Sequence, residues 1–241
     1  MKKANLIGAL LAAVIAAAPA TGLTGNVLSF NDNAIVAEAA SSASVTVKNG
    51  QNKAFAVSGQ NSTPIILQND TWELVGNSNG NFYSRCRKGN GHKEFYTRPS
   101  EWTKDSKYPG KNINLIDENG NMNYSIYLQG DGNLVGYLNV YNYTTNKLET
   151  RYDLPLWYTN TWPGAPKTVK YRNTKVKEFY NLVKKSPNVY SVSVTEAKYE
   201  LTSNGDLIIY AHYKCKCYNY QYGESWCKIW DSRYDTIDRA I

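Results

Sequence analysis

Two segments of the chain, residues 128–137 and 201–210, repeat each other. Both carry Leu, Gly, Leu, a β-branched aliphatic residue and Tyr at the same places. A tryptophan then follows each tyrosine at the same interval, Trp157 after Tyr137 and Trp230 after Tyr210. Because the motif and the distant tryptophan keep the same offset, we interpret the two segments as copies of an internal repeat.

A third, weaker copy lies upstream. Asn79-Gly80-Asn81 aligns with Asp131-Gly132-Asn133, and Trp102 lies near the place expected for its tryptophan. Arg85 stands where the other copies have tyrosine, so we expect this copy to be structural. The sequence therefore predicts three degenerate repeats, at about 65–102, 120–161 and 194–232.

The composition favours strands as the building blocks of these repeats. Aromatic residues make up 13% of the chain, including 20 tyrosines, and aromatic residues are enriched in strands. A lone small sheet cannot bury its apolar face, whereas three sheets packed around an axis can, with the tryptophans in the middle. We therefore expect a mainly all-β fold of three short antiparallel sheets.

One stretch departs from the strand pattern. At 174–185, apolar residues recur at the spacing of a helix that buries one face, namely Val176, Phe179, Tyr180 and Val183. We predict an α-helix there, inside a basic insertion at about 165–190. The excess of basic residues between Lys167 and Lys185, where Glu178 is the single acid, has two interpretations. In the first, these basic residues contact an anionic envelope polymer or lipid headgroups. In the second, they form the solvated face of a helix that packs on the rest of the chain.

The best-preserved segment places five side chains on alternate positions, namely Gln129, Asp131, Asn133, Val135 and Tyr137. In an extended strand they would share one face, while Leu128 and Leu134 point to the core. Amide, carboxylate and phenol groups beside an apolar contact suit a ligand rich in hydroxyl groups. The alternative is a polar outward face with a turn at Gly130-Asp131-Gly132, because Asp-Gly pairs are common hairpin signals.

This series resembles the Q-x-D-x-N-x-V-x-Y signature of the bulb-type (monocot-type) mannose-binding lectins at all five positions. The resemblance implies a β-prism II-like threefold fold and a sugar site that needs no metal and no cofactor. It implies that Asp131 and Asn133 hold the axial 2-hydroxyl of mannose, and that Gln129 and Tyr137 reach the 3- and 4-hydroxyls. Val135 would pack against the ring carbons. A second, degenerate sugar site would lie at Thr202, Asn204, Asp206, Ile208 and Tyr210.

From this resemblance we expect a non-enzymatic carbohydrate-binding protein, a lectin for mannose-containing or related glycans, with no nucleic-acid partner. One alternative is a lectin-like bacteriocin that docks on cell-envelope polysaccharide, with the basic helix contributing. Another is a surface or matrix protein that has kept the fold and lost the sugar.

Residues 1–39 read as an export signal. Lys2 and Lys3 precede an apolar run at 6–18, and small-residue cleavage sites follow at Ala18-Pro19-Ala20 and Ala37-Glu38-Ala39. We predict a signal peptide at 1–39, a mature domain at 40–241, and secretion to the extracellular space or the cell surface. An uncleaved membrane anchor is the alternative.

Four cysteines in an exported chain suggest disulfides, with three pairings open among Cys86, Cys215, Cys217 and Cys227. Cys215 and Cys217 should not pair with each other, because they point the same way on a strand. Zinc binding by His212 with Cys215, Cys217 and Cys227 is the alternative, although the spacing fits no standard finger.

Three catalytic patterns occur without the context that each requires. Gly76 to Gly80 satisfies G-x-S-x-G around Ser78, but the sequence that follows is strand-like rather than helical. Cys86 and His92 could pair as thiol and imidazole, yet disulfide use explains Cys86 better. Asp117 and Glu118 could be imagined as a glycosidase pair, but spacing in the sequence does not determine the distance between carboxyl groups that such an enzyme requires. We therefore expect no catalytic residues.

Overall fold

The computed structural model describes residues 41–161, 189–217 and 222–241, all of which belong to one compact unit, Ala39–Ile241. Every regular element in these ranges is a β-strand, and all strand pairs are antiparallel. The all-β prediction is therefore confirmed for this part of the chain. The predicted signal peptide and the predicted helix at 174–185 lie outside the described residues. Within them, no helix long and apolar enough to cross a membrane occurs.

Thirteen strands form three sheets in the described ranges. Sheet I has the order β3-β4-β5-β6 and consists of Ile65–Gln68, Trp72–Gly76, Phe82–Cys86 and His92–Tyr96. Sheet II has the order β13-β9-β8-β7-β2, with β2 at Asn52–Val57, β7 at Tyr124–Gln129, β8 at Leu134–Asn142, β9 at Lys147–Tyr158 and β13 at Asp238–Arg239. Sheet III has the order β1-β10-β11-β12 and consists of Ala43–Lys48, Val189–Leu201, Leu207–Cys217 and Tyr222–Asp231.

Sheets II and III keep the offset of the sequence repeat in their strand register. Gly136 pairs with Trp157 in sheet II, and Ile209 pairs with Trp230 in sheet III. A register shift follows directly after each of these pairs. The two tryptophans thus occupy the same place in two equivalent hairpins.

Sheet I does not supply a tryptophan at that place. Ser84, which corresponds to Gly136 when Asn79-Gly80-Asn81 is aligned with Asp131-Gly132-Asn133, pairs with Lys93. Trp102 lies beyond the end of β6 and is buried there. The assignment of Trp102 as the equivalent tryptophan is therefore wrong, because the chain leaves sheet I before reaching it.

The core lies where the apolar faces of the three sheets meet. Trp157 is fully buried and stacks on Phe82 of sheet I, with ring centroids 5.3 Å apart. Alternate residues of β7 point inward and are fully buried, namely Tyr124, Ile126 and Leu128. Each such side chain contributes about 1.5–3 kcal/mol by its removal from water.

The turn of each central hairpin packs against the next sheet. A Cβ added at Gly205 of sheet III would lie 2.4 Å from Trp72 of sheet I, and one at Gly132 of sheet II would lie 2.5 Å from Ile229 of sheet III. A Cβ at Gly80 of sheet I would lie 2.9 Å from Met122, which closely precedes β7 of sheet II. The three sheets therefore contact one another in a closed ring.

Hydroxyl groups connect the same turns to the neighbouring sheets. Ser84 Oγ donates to the carbonyl of Gly205 at 2.6 Å, and Tyr124 Oη donates to that of Asn81 at 3.1 Å. The buried Tyr199 Oη donates to the carbonyls of Gln129 and Asn133 at 2.6 and 2.8 Å. The turn that carries the predicted sugar site is thus fixed from below by sheet III.

Candidate functional site

The five predicted site residues lie on two strands and the turn between them. Gln129 ends β7, Asp131 and Asn133 lie in the turn, and Val135 and Tyr137 lie on β8. The expectation that all five project from a single extended strand is wrong. The alternative of a turn at Gly130-Asp131-Gly132 is confirmed, because Gly132 has a φ of 94° and donates its N–H to the Gln129 carbonyl at 3.0 Å.

The hairpin brings together residues that a straight strand would separate. Tyr127 pairs with Val135 and Ser125 pairs with Tyr137, so the outer faces of β7 and β8 are adjacent. Gln129 Nε2 lies 3.4 Å from Tyr137 Oη as a result. Two of the predicted polar groups therefore converge across the strands rather than along one strand.

The same turn occurs four times in the described chain, with an equivalent pair of backbone hydrogen bonds each time, at 77–81, 117–121, 129–133 and 202–206. In three copies the first side chain accepts hydrogen bonds from the N–H groups of the third and fifth residues. Those first residues are Asn77, Asp117 and Thr202, with distances of 2.8–3.3 Å. Such side-chain caps stabilise a turn locally.

The copy at 129–133 is capped differently. Asp131 Oδ1 accepts the hydrogen bond from the Asn133 N–H at 2.9 Å. Gln129, the first residue, directs its amide toward Tyr137 instead. The side-chain amide of Gln129 is thus available on the outer face of sheet II.

Asp131 is only partly exposed, and burial raises the pKa of its carboxyl above the ordinary value, while the backbone N–H groups of Asn133 and of Asp131 itself oppose that shift. A partly desolvated carboxylate gains more from a hydroxyl donor than a fully hydrated one, because its competing water is already removed. Asp131 is therefore suited to accept a hydrogen bond from a ligand.

Asn133 and Val135 are more deeply buried than the other three predicted site residues. Asn133 is buried, and its Oδ1 accepts from the Asn160 N–H at 3.0 Å and from Thr159 Oγ1 at 3.3 Å. Val135 is 1% exposed. In this conformation both residues support the site from beneath, and Val135 has almost no surface to offer a sugar ring.

Two tyrosines outside the predicted set complete the outer face. Tyr127, Tyr137 and Tyr152 meet edge to face, with all three pairs of ring centroids 5.5 Å apart. Tyr127 and Tyr152 are also joined by a hydrogen bond of 3.1 Å between their hydroxyls. Tyr152 is 61% exposed, so the cluster presents an aromatic surface beside Gln129 and Asp131.

A polar network lies beside the cluster on the same face of sheet II and bonds to Tyr127. Thr150 Oγ1 donates to Asn139 Oδ1 at 2.9 Å, and Asn139 Nδ2 donates to Ser125 Oγ at 3.1 Å. Tyr127 Oη lies 3.4 Å from Thr150 Oγ1. Rings held by such supporting bonds need little reorganisation on binding.

The hydroxyls of Tyr137 and Tyr152 are neutral at physiological pH. Burial raises the pKa of Tyr137, and a hydrogen bond with Tyr127 raises the pKa of Tyr152. Each phenol can therefore donate or accept a hydrogen bond.

The second predicted site has most of its polar groups engaged. Thr202 Oγ1 caps its own turn, and Asp206 Oδ1 forms an ion pair of 2.7 Å with Lys93. The Lys198 ammonium lies 4.4 Å from the centre of the Tyr210 ring. Ile208 is buried and Asn204 is exposed, so these five residues do not form a convergent neutral site.

The equivalent surface of sheet I carries charged side chains that pair with one another. Arg85, at the position of Tyr137, forms an ion pair of 2.9 Å with Glu73. His92 and Glu94 are in contact at 2.7 Å. Sheet II thus differs from its two counterparts, because its outer face near the turn combines tyrosines with amide groups rather than ion pairs.

The remaining predicted chemistry gains no support from the described residues. Cys86 and Cys227 are free thiols, and burial raises the pKa of Cys227 to about 12. The side chains of Cys215 and Cys217 lie outside the described residues. No group of three or more potential metal ligands occurs in the described ranges. Ser78 is buried within its turn, and His92 contacts Glu94 instead of a nucleophile.

No protein-family model matches the chain, and neither a curated protein nor a solved structure matches it.

Proposed function

We propose that this chain is a secreted, non-enzymatic lectin that binds mannose or a related sugar, without a metal, on the outer face of sheet II. The observation that carries this proposal is the arrangement around the turn at 129–133. There Gln129 is released from capping, Asp131 is partly desolvated, and both lie beside a tyrosine cluster.

The chemistry of these groups suits a sugar. Asp131 accepts from a hydroxyl, Gln129 donates and accepts, and Tyr137 does either. The exposed ring of Tyr152 provides an apolar surface for the C–H groups of a pyranose. Asn133 and Val135 support the site indirectly, because both are buried beneath the groups that would contact the sugar.

The β-prism arrangement belongs to the same proposal. The closed ring of turn-to-sheet contacts supports it, because each sheet buries its apolar face with the help of the next. In such an arrangement the three outer faces occupy equivalent positions. The residues on one face can therefore differ from those on the other two.

The affinity of one site should be modest. Four or five hydrogen bonds contribute about 0.5–1.5 kcal/mol each. After the costs of association and ordering, about −4 kcal/mol remains, which corresponds to a millimolar Kd.

The test is a calorimetric titration of residues 40–241 with mannose, comparing the wild type with Tyr137→Phe. Loss of one hydroxyl contact should weaken binding about threefold to tenfold. The matched control is Tyr210→Phe, the same change at the equivalent position of sheet III, and it should leave the Kd unchanged. Equal affinities of the wild type and Tyr137→Phe would place the sugar elsewhere.

A further inference from the structure

The hairpin formed by β8 and β9 extends beyond its neighbour in sheet II. The last pair between β7 and β8 is Tyr124 with Leu138, whereas β8 and β9 remain paired as far as Asn142 and Lys147. The distal part of this hairpin therefore projects past β7.

The projecting hairpin displays two exposed tyrosines. Tyr141 is 44% exposed and Tyr143 is 86% exposed, and their rings meet edge to face at 5.1 Å. Tyr141 lies on the same face of β8 as Tyr137, because the two are separated by an even number of residues. Leu148, the partner of Tyr141 on β9, adds an exposed apolar side chain to the same face.

The tip of the hairpin is well fixed by its own hydrogen bonds. Asn142 Oδ1 accepts from the Thr144 N–H at 2.9 Å, and Asn142 Nδ2 donates to Glu149 at 2.9 Å. Thr145 Oγ1 donates to the same carboxylate at 2.7 Å. These bonds hold the two rings in a defined position, although neither ring is buried by the rest of the described chain.

We infer that the aromatic strip, defined as Tyr137, Tyr141, Tyr143, Leu148 and Tyr152, is an extended binding surface for a glycan chain of several sugars. This inference rests on the proposed function, since the strip begins at the tyrosine cluster beside Gln129 and Asp131. From Tyr137 to the end of β8 at Asn142 the strand extends over about 17 Å, and Tyr143 follows directly in the turn. A single sugar occupies only one end of such a surface.

The side chains along the strip match an extended glycan. Tyrosine rings pack against the positively polarised C–H faces of pyranoses, as they do against the edges of other rings. Between the two ends of the strip, the partly exposed Thr150 lies on the same face and carries a hydroxyl group. Glycans bound in this way gain affinity with each additional sugar that contacts a ring.

The experiment is a titration of residues 40–241 with mannose and with linear mannose oligosaccharides of increasing length, up to a hexasaccharide. Wild-type affinity should rise at least tenfold between the monosaccharide and the hexasaccharide. The double variant Tyr141→Ala/Tyr143→Ala should bind mannose as the wild type does and lose most of that rise. Tyr234→Ala, which removes an exposed tyrosine elsewhere, is the control and should keep the full rise.

The outcomes separate the two proposals. If the wild type binds mannose but gains nothing with chain length, or if the double variant keeps the full gain, the extended surface is wrong and the lectin proposal stands. If the wild type binds neither the monosaccharide nor any oligosaccharide, the lectin proposal fails and the extended surface fails with it. Sedimentation of the double variant adds a third check. Dissociation of a wild-type oligomer would identify the strip as a contact between copies and overturn the inference.

Discussion

At the scale of single residues, Asp131 has two opposite effects on stability. Its Oδ1 caps the turn at 129–133, and its negative charge is held in a partly buried position. Burial raises the pKa of Asp131 in the folded chain, so the folded protein binds this proton more tightly than the unfolded one. The ionised carboxylate therefore lowers stability fully at any pH above its folded pKa, and stability recovers as the pH falls through that value.

Asp131→Asn should separate these roles. The amide keeps the Oδ1 acceptor for the Asn133 N–H and removes the charge, so the melting temperature near neutral pH should equal or exceed that of the wild type. Mannose affinity should fall about tenfold or more, because a hydrogen bond to a charged group contributes about 1.5–3 kcal/mol. Thermal unfolding and calorimetry on the same samples measure both effects. A variant that is clearly less stable, or that binds mannose normally, would contradict this account of Asp131.

The residues of the site could be predicted from the sequence only in part. Alternation along the chain identifies Gln129, Asp131 and Tyr137, and it would also have found Tyr127, two positions before Gln129 on the same face of β7. Tyr152 could not be found in this way. The register of β9 against β8 changes from Pro155 opposite Tyr137 to Thr150 opposite Asn139, and only that irregularity brings Tyr152 to the cluster.

At the scale of elements, the end of β12 depends on one buried carboxylate. Asp231 is fully buried, and it accepts hydrogen bonds from Arg233 at 2.6 and 2.8 Å and from Lys228 at 2.8 Å. Burial tends to raise the pKa of Asp231, but these bonds outweigh that effect and hold the pKa at about 2. The carboxylate thus joins β12 to the turn that follows.

We expect Asp231→Asn to lower the free energy of unfolding by about 2 kcal/mol near neutral pH, because two cationic partners lose their charged acceptor. Since the folded pKa is depressed, this stability is present above about pH 4 and is lost as the pH falls toward 2. The difference between wild type and variant should therefore shrink over that interval in urea unfolding experiments. Asp153→Asn is the control, since Asp153 has similar cationic partners but lies on the surface, where solvent and salt screen the pairs. A difference for Asp231→Asn that does not depend on pH would contradict the assignment.

The hairpins could be predicted from the sequence better than the turn between their strands. The constant offset between the two repeat copies predicts equivalent hairpins, and the register of Trp157 and Trp230 agrees with it. The turn inside the motif was only an alternative interpretation, because Gln129 to Tyr137 also alternates like an uninterrupted strand. A positive φ at Gly132 decides between the two, and glycine permits this conformation without requiring it.

At the scale of the whole molecule, the ring of sheets depends on close contacts at the three hairpin turns. Gly205 has a φ of 80°, and a Cβ there would lie 2.4 Å from the rigid ring of Trp72. Gly120 has the same kind of turn and a φ of 83°, but no atom lies within 4 Å of its added Cβ. The two glycines therefore differ in packing and not in backbone conformation.

Gly205→Ala should accordingly destabilise the protein by about 3 kcal/mol or more, from backbone strain and overpacking together. Gly120→Ala should cost about 1 kcal/mol, from backbone strain alone. Chemical denaturation of both variants measures the difference. Equal losses would show that the turn of sheet III does not need its close approach to sheet I.

The arrangement of the sheets was the part of the fold least accessible from the sequence. Apolar alternation predicts that each sheet buries one face, and it does not specify which turn meets which sheet. That information lies in tertiary contacts between residues far apart in the chain, such as those of Tyr199 with the turn at 129–133. The difference among the three outer faces likewise emerges only when Arg85, Tyr137 and Tyr210 are placed beside their neighbours.

The most direct test of the central claim is to map mannose binding by amide chemical shifts in a labelled protein of residues 40–241. The account predicts that the largest changes on saturation occur at residues 127–137 and 152, including the side-chain amide of Gln129. The equivalent residues of sheet III, 202–210, should stay unchanged. Saturable changes centred on sheet III or sheet I, with none at the turn of sheet II, would contradict it.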